Sequence, residues 1–225
     1  MGQFDDIQAE VERAGITKNS SLRFNIPRGW WDTGRYGSIG FYGFLEFLFY
    51  LQEHIAPAAL GKIDGEVKPD HKRMKMMEVG SYAGESTLLF SSTGLFDEVI
   101  SIDPHDGDEE MNKLRGVDWD SVKKTFNNTT ELSDVITHYP NYSFDGVLDK
   151  FEDGYFNLIY LDGEHDYESV KRDLESLLPK INPEVGWISG HDFIDHSWPG
   201  CVSAIREVVG EPDATFRDGS WVKKI

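Results

Sequence analysis

The chain has 225 residues, with 22 basic against 40 acidic side chains and a formal net charge of -18. That length is most simply one domain able to bury a sizeable core, and its 39% hydrophobic and 28% charged residues are the composition of a soluble globular protein. A balance this acidic offers no basic stripe to displace counterions from phosphates, which argues against nucleic acid or an anionic membrane as partner.

In chain order, residues 7–14 form a short amphipathic piece, followed by a loop with Arg23, Trp30, Trp31 and Arg35. The adjacent tryptophans read as a local packing anchor in preference to a ligand platform. Residues 40–60, dense in Phe, Tyr and Leu, predict a buried helix with Pro57 near its end, leading into the sheet and covering a cofactor site. A polar turn at 61–72 precedes an apolar strand, 74–79. Then comes the glycine-bracketed turn Gly80-Ser81-Tyr82-Ala83-Gly84, which runs into a helix from Ser86. Glycines let the backbone approach a ligand without a Cβ in the way, and N–H groups at a helix start can hold an anionic group. The next strand, 98–103, ends in Asp103, about twenty residues after the turn, where a ribose-binding carboxylate sits in such folds.

A charged segment, 106–128, carries helix-like Val117, Val122 and Phe126. A strand at 134–139 and a helix at 143–151 follow. The strand 156–162 is apolar on successive residues, as burial on both faces requires. A helix at 167–178 sets Val170, Leu174, Leu177 and Leu178 on one face and is closed by Pro179. A strand at 185–189, a helix at 199–209 and two short strands, 214–217 and 220–224, complete the chain. Strict alternation means helices on both sides of a mostly parallel sheet, and the closing pair predicts an antiparallel hairpin at one edge. Cys201 is the only cysteine, so an intrachain disulfide is ruled out and a reducing compartment fits. With nothing near Met1 resembling a signal peptide and no apolar run of membrane-spanning length, a cytoplasmic protein is expected.

Five blocks carry a family resemblance: Glu78-Val-Gly80-Ser-Tyr82-Ala-Gly84-Glu-Ser86, Ile102-Asp103, Ser143-Phe-Asp145, Leu161-Asp162-Gly163-Glu-His165-Asp-Tyr167 and Gly190-His191-Asp192-Phe193. Together, over about residues 74–210, they resemble the class I S-adenosylmethionine-dependent methyltransferases of the small-molecule O-methyltransferase type. The first half is similar to the catechol and caffeoyl-coenzyme A enzymes, and the C-terminal part to macrocin-type sugar O-methyltransferases. The resemblance implies an α/β, Rossmann-like sheet of seven strands, the last antiparallel, with helices on both faces. With the aromatic-rich N-terminal run, the expected division is an S-adenosylmethionine-binding unit at 73–225 and a helical segment at 1–72 packing on the sheet.

The site roles follow from the same resemblance. The turn Gly80, Ser81 and Gly84, with Ser86, would hold the methionine carboxylate. Glu78 would orient the turn or the methionine amino group, and Tyr82 would lie against the cofactor. Asp103 would accept both ribose hydroxyls, a bidentate contact that suits a carboxylate. Pro104 and His105 would border the adenine, and Ser143 and Phe144 would touch it.

Asp162 falls at a family metal-binding carboxylate and is counted among the catalytic and cofactor residues. Its partners are His191 and Asp192, where catechol-type enzymes carry an Asp-Asn pair and macrocin-type enzymes two acids. Asp162 and Asp192 suit Mg²⁺, whereas His191 suits a softer divalent metal. The alternative for His191 is a buried histidine bracing the sheet end. His165 stands where catechol-type enzymes place a catalytic lysine, and a histidine can take a hydroxyl proton near neutrality. Its alternative is a helix-start histidine bonded to a neighbouring acid such as Asp166. His54, His71, His138 and His196 have no motif support and read as surface residues.

The expected function is O-methylation of a small hydroxylated acceptor, whether sugar, natural product or aromatic, with Mg²⁺ or another divalent metal assisting. The acceptor pocket is expected near residues 30–42 and 194–200, and the aromatic N-terminus makes a homodimer plausible. A nicotinamide-dependent oxidoreductase is disfavoured, because Gly80-xxx-Gly84 lacks the Gly-x-Gly-x-x-Gly spacing and no Tyr-xxx-Lys pair stands at the expected place. His191-Asp192 beside Asp162 keeps open a cephalosporin-hydroxylase-like protein that binds the methyl donor without methylating.

Overall fold

A computed structural model describes residues 37–60, 73–106, 117–131 and 133–225. The readings at 7–14, Arg23, Trp30, Trp31, Arg35, 61–72 and His71 lie outside the described residues.

The aromatic run folds as helix α1, Gly37–Tyr50, which continues through a π-turn, Leu51–Ile55, into α2, Ala56–Leu60. Pro57 has no N–H to continue the α-ladder, and just before it the Ala56 N–H reaches back to the Leu51 carbonyl. Phe44, Phe47, Leu48 and Leu51 pack with Met74, Met76, Phe90, Phe96 and Tyr160 in one core. Phe44 meets Phe90 edge to face, with ring centroids 5.3 Å apart.

Seven strands form one sheet: β1 Met74–Val79, β2 Phe96–Ile102, β3 Ile136–Tyr139, β4 Leu158–Leu161, β5 Trp187–Gly190, β6 Ala214–Thr215 and β7 Trp221–Lys224. Their order is β3-β2-β1-β4-β5-β7-β6. The first five run parallel to one another, and β7 runs antiparallel between β5 and β6, so the expected antiparallel closing strand is present. The chain reverses its direction of progress across the sheet at β1 and β4. That opens a crevice beyond their carboxyl ends, the place where open α/β sheets hold ligands.

The crossover helices are α3 Glu85–Ser92, α4 Trp119–Thr130, α5 Tyr167–Leu177 and α6 Pro199–Val208. Val170, Leu174, Leu177, Ala204 and Ile205 of α5 and α6 pack with Met77, Ile100, Ile159 and Leu161 in a second core, while α1 and α3 belong to the first. Helices therefore cover both faces of the sheet.

One expected element changes. Residues 143–151 are not an α-helix but a turn followed by a short 3₁₀ segment, Val147–Lys150. Gly146 sits at φ 75°, which a continuing helix cannot use, and the Ser143 hydroxyl is bonded to Asp173 of α5. The strand expected from 156 begins at Leu158, and Phe156 instead forms an isolated parallel bridge with Ile181. Among the described residues no helix is long and apolar enough to cross a membrane.

Candidate active site

The exit of β1 is built by backbone that only certain residues tolerate. Gly80 has φ 87°, and a Cβ there would lie 2.0 Å from the Asp162 carbonyl oxygen, so the turn rests directly on the exit of β4. Tyr82 also has positive φ, at 44°, and Gly84 at 81° starts α3. Several contacts hold Tyr82. Its N–H donates to Asp103 Oδ2 at 2.7 Å, its carbonyl accepts from His105 Nε2 at 2.7 Å, and its ring meets Trp119 edge to face at 5.9 Å.

The other Asp103 oxygen accepts the His105 N–H at 2.7 Å, and the carboxylate, with about four lone-pair directions, keeps acceptor capacity for further donors. Burial pushes the Asp103 carboxyl upward, opposed by His105 and by the backbone amides of Tyr82, His105 and Ser81. Glu78 is fully buried at the end of β1. One of its oxygens accepts the Thr87 hydroxyl, while the other has no partner among the described residues. Burial pushes its pKa up to about 8, against the pull of Ser86 and Thr87. An orphaned buried acceptor beside a glycine cradle fits a ligand carrying an amino group.

Pro104 lies half-buried between Asp103 and the buried His105. Ser143 is buried and donates to Asp173 Oδ1 at 2.7 Å. Phe144 is 47% exposed, stacked on Tyr142 at 5.1 Å, with the Arg172 guanidinium 4.0 Å from its ring centre. His138 is not a surface histidine: it is half-buried on β3, its ring 4.3 Å from that of Phe126 and 4.9 Å from that of His105. His54 and His196 are exposed, as expected.

Across the crevice, at the ends of β4 and β5, Asp162, His165, His191 and Asp192 come together. His165 Nε2 lies 2.9 Å from Asp192 Oδ2, and His191 Nδ1 lies 3.1 Å from Asp192 Oδ1 and 3.8 Å from Asp162 Oδ1. Asp166, the partner in the alternative reading of His165, instead caps α5 by accepting the Glu168 and Ser169 N–H groups. His165 also stacks on Trp198, centroids 4.2 Å apart. Burial works against a charge on His165, but the hydrogen bond and charge of Asp192, with Asp162 beyond it, outweigh burial and raise its pKa above 6.5. The same opposition at His191, with Asp162, Asp192 and Asp218 as counter-charges, pushes its pKa up to about 10. Burial and the neighbouring Asp192 raise Asp162 to about 6 against His191, although its side chain is 32% exposed and solvent tempers the effect. Burial opposes the Asp192 charge, yet the two histidines hold its carboxyl well below the usual range.

Asp162, His165 and Asp192 each offer a donor atom within 4.8 Å of the others, a spacing that suits a metal ion. His165, not His191, completes this set. The His191 Nε2 points the other way, 3.7 Å from Asp218 Oδ2.

Asp218, Trp198 and Trp119 were not singled out by sequence reasoning. Asp218 lies in the β6–β7 turn, its oxygens taken by the Ser220 N–H and hydroxyl at 3.0 and 2.7 Å. Arg217 beside it pairs with Glu46 of α1 at 2.7 Å, and a Cβ on Gly43 would lie 2.3 Å from the Asp218 nitrogen. The signal was the Asp-Gly-Ser turn between the closing strands, which places a carboxylate at the sheet end that holds His191.

Residues 77–193, slightly more than half of the chain, match a family model described as a methyltransferase domain. A protein of Sinorhizobium fredii described as uncharacterized protein y4gI is 26% identical over 113 residues, 48% of this chain but only 12% of its own length. Among solved structures, the calicheamicin methyltransferase CalS11 superposes with a TM-score of 0.52 at 15% identity, over 96% of this chain and 91% of its own. A structure of apo CalS11, described as a TDP-rhamnose 3'-O-methyltransferase, gives 0.49 at 14% identity, over 96% and 94% of the two chains. A Thermoplasma acidophilum protein matches over 61% of this chain and 52% of its own, at 13% identity and a TM-score of 0.41. The first superposition shows a shared overall fold.

Proposed function

Because the chain belongs to the methyltransferase-domain family, we propose that it transfers a methyl group from S-adenosylmethionine to a hydroxyl of a small acceptor, with His165 as the general base. The observation that carries this reading is the Asp192–His165 contact at 2.9 Å, on the same carboxyl edge of the sheet as the turn after β1. The turn Gly80–Gly84 supplies close-approaching amides, Asp103 keeps acceptor capacity for two ribose hydroxyls, and the orphaned Glu78 oxygen meets the need of an amino group.

S-adenosylmethionine brings an already activated methyl group, so the protein must align the acceptor and remove its proton. The sulfur–methyl bond breaks as the oxygen–methyl bond forms, S-adenosylhomocysteine leaves, and the hydroxyl proton passes to His165. With its Nε2–H donated to Asp192, His165 presents Nδ1 as the basic nitrogen, and Asp192 stabilises the imidazolium that results. The stacked Trp198 fixes the ring plane.

A second reading rests on the convergence of Asp162, His165 and Asp192. These three would hold a divalent metal, which would lower the pKa of an acceptor hydroxyl. Two carboxylates with one imidazole favour Mn²⁺, Fe²⁺ or Zn²⁺ over Mg²⁺. His165 would then be a ligand and not the base, so the roles exclude each other. The deciding experiment incubates the protein with methyl-labelled S-adenosylmethionine and a panel of sugars, catechols and polyphenols, with EDTA or with Mn²⁺. Transfer that survives EDTA is the expected result; transfer only with Mn²⁺ selects the metal reading. Label that stays on the donor under both conditions would sink O-methylation itself.

A further inference from the structure

β3, β2 and β1 run in a register that sets His138 beside Ser101 and Ser101 beside Glu78, a polar row one residue before the strand ends. Ser101 donates its hydroxyl proton to Ser81 Oγ at 2.7 Å. His138 Nδ1 lies 3.1 Å from the same Ser101 oxygen, so with that proton already given to Ser81, Nδ1 must be the donor. The His138 ring also lies against His105, centroids 4.9 Å apart, whose Nε2 holds the Tyr82 carbonyl. Phe126, which a side chain on Gly84 would meet at 3.0 Å, closes the group.

Two arms thus run from His138 to the cofactor turn, one through Ser101 to Ser81 and one through His105 to Tyr82. The turn needs such support. Tyr82 at φ 44° occupies a region that non-glycine residues adopt only when their surroundings over-determine it.

We propose that His138 is a positioning residue for the donor-binding turn: its Nδ1–H fixes the Ser101–Ser81 hydroxyl chain and its ring backs His105, so that the Tyr82 peptide and Asp103 keep the geometry that receives the cofactor. This rests on the reading that the turn binds S-adenosylmethionine. His138 touches neither donor nor acceptor in this arrangement and acts only through its neighbours. Burial and the neighbouring His105 hold its pKa down at about 4, so the neutral donor form is the one present at neutral pH.

The test is calorimetric titration of the whole chain with S-adenosylhomocysteine at pH 7.5. His138→Phe keeps a ring against Phe126 and His105 but loses the donor; His138→Asn places an amide donor near the Nδ1 position. Loss of one buried hydrogen bond predicts about tenfold weaker binding for His138→Phe, with His138→Asn within about threefold of wild type. Ser101→Ala is expected to match His138→Phe, and the double variant to weaken binding no further, because both act through one chain of bonds. Unchanged affinity in His138→Phe overturns the inference, as does equal weakening in the Phe and Asn variants that tracks a shared fall in Tm. Asp103→Ala measured alongside separates the two levels. Binding lost there but intact in His138→Phe overturns this inference alone. No binding by the wild type overturns the cofactor reading and this inference with it.

Discussion

Gly80→Ala is expected to destabilise the protein by about 3–5 kcal/mol and to remove measurable S-adenosylhomocysteine binding. Two costs combine. At φ 87° any L side chain is strained by about 1–2 kcal/mol, and here its Cβ would lie 2.0 Å from the Asp162 carbonyl oxygen and 2.7 Å from the Gly163 nitrogen. Those are backbone atoms at the exit of β4, and β1 pairs β4 from Met76 through Val79, so relief requires the strands to part. Parting them moves the turn away from the exit of β4, where Asp162 stands. Gly94→Ala is the internal control: its φ is 69°, but nothing lies within 4 Å of the added Cβ. It should cost about 1 kcal/mol and leave binding intact. Thermal melts of both variants check the contrast, with Tm falling by about 10 °C for Gly80→Ala and by about 3 °C for Gly94→Ala. Equal falls would mean that the close approach to β4 is not what sets the cost.

His165→Ala is expected to lower kcat by about 10²–10⁴-fold while leaving donor affinity unchanged, because the residue follows β4 and bonds Asp192, not the turn after β1. The pH profile carries a second signature. Asp192 raises the His165 pKa above 6.5, and a general base works only when neutral, so turnover should rise with pH along a limb centred above 6.5. Stability runs the other way. A histidine with a raised folded pKa stabilises the fold below its unfolded pKa and loses that contribution as pH rises through the folded value. Asp192→Asn should move the activity limb to lower pH by removing the counter-charge. A limb unmoved in Asp192→Asn, or full turnover in His165→Ala, removes the base assignment.

Much of this site could be read from residue order, and the reasons are local. Gly80, Gly84 and Asp103 stand at fixed offsets because a strand, a tight turn and the next strand leave little freedom between them. Asp162, His191 and Asp192 follow from the rule that ligands gather at the carboxyl ends of parallel strands. The parts that were missed depend on pairing across the sheet. His138 reads as a surface residue along β3, and only its register beside Ser101 brings it under the turn. Asp218 lies in the turn between the closing strands, and the antiparallel return of β7 next to β5 carries it to His191. Which histidine faces Asp192 with which nitrogen is likewise a matter of ring orientation, to which sequence spacing is blind. The helix expected over 143–151 failed for a local reason, a glycine at positive φ, whose backbone angle the residue type permits but does not dictate.

On the proposed reading, the turn after β1 and Asp103, just after β2, together hold S-adenosylmethionine. Calorimetric titration of the donor into wild type and Asp103→Ala checks it. Loss of two hydrogen bonds to a charged acceptor predicts micromolar binding weakened by at least about 100-fold in the variant. Equal affinity in the two proteins, or binding of NADH in place of the donor, would contradict it.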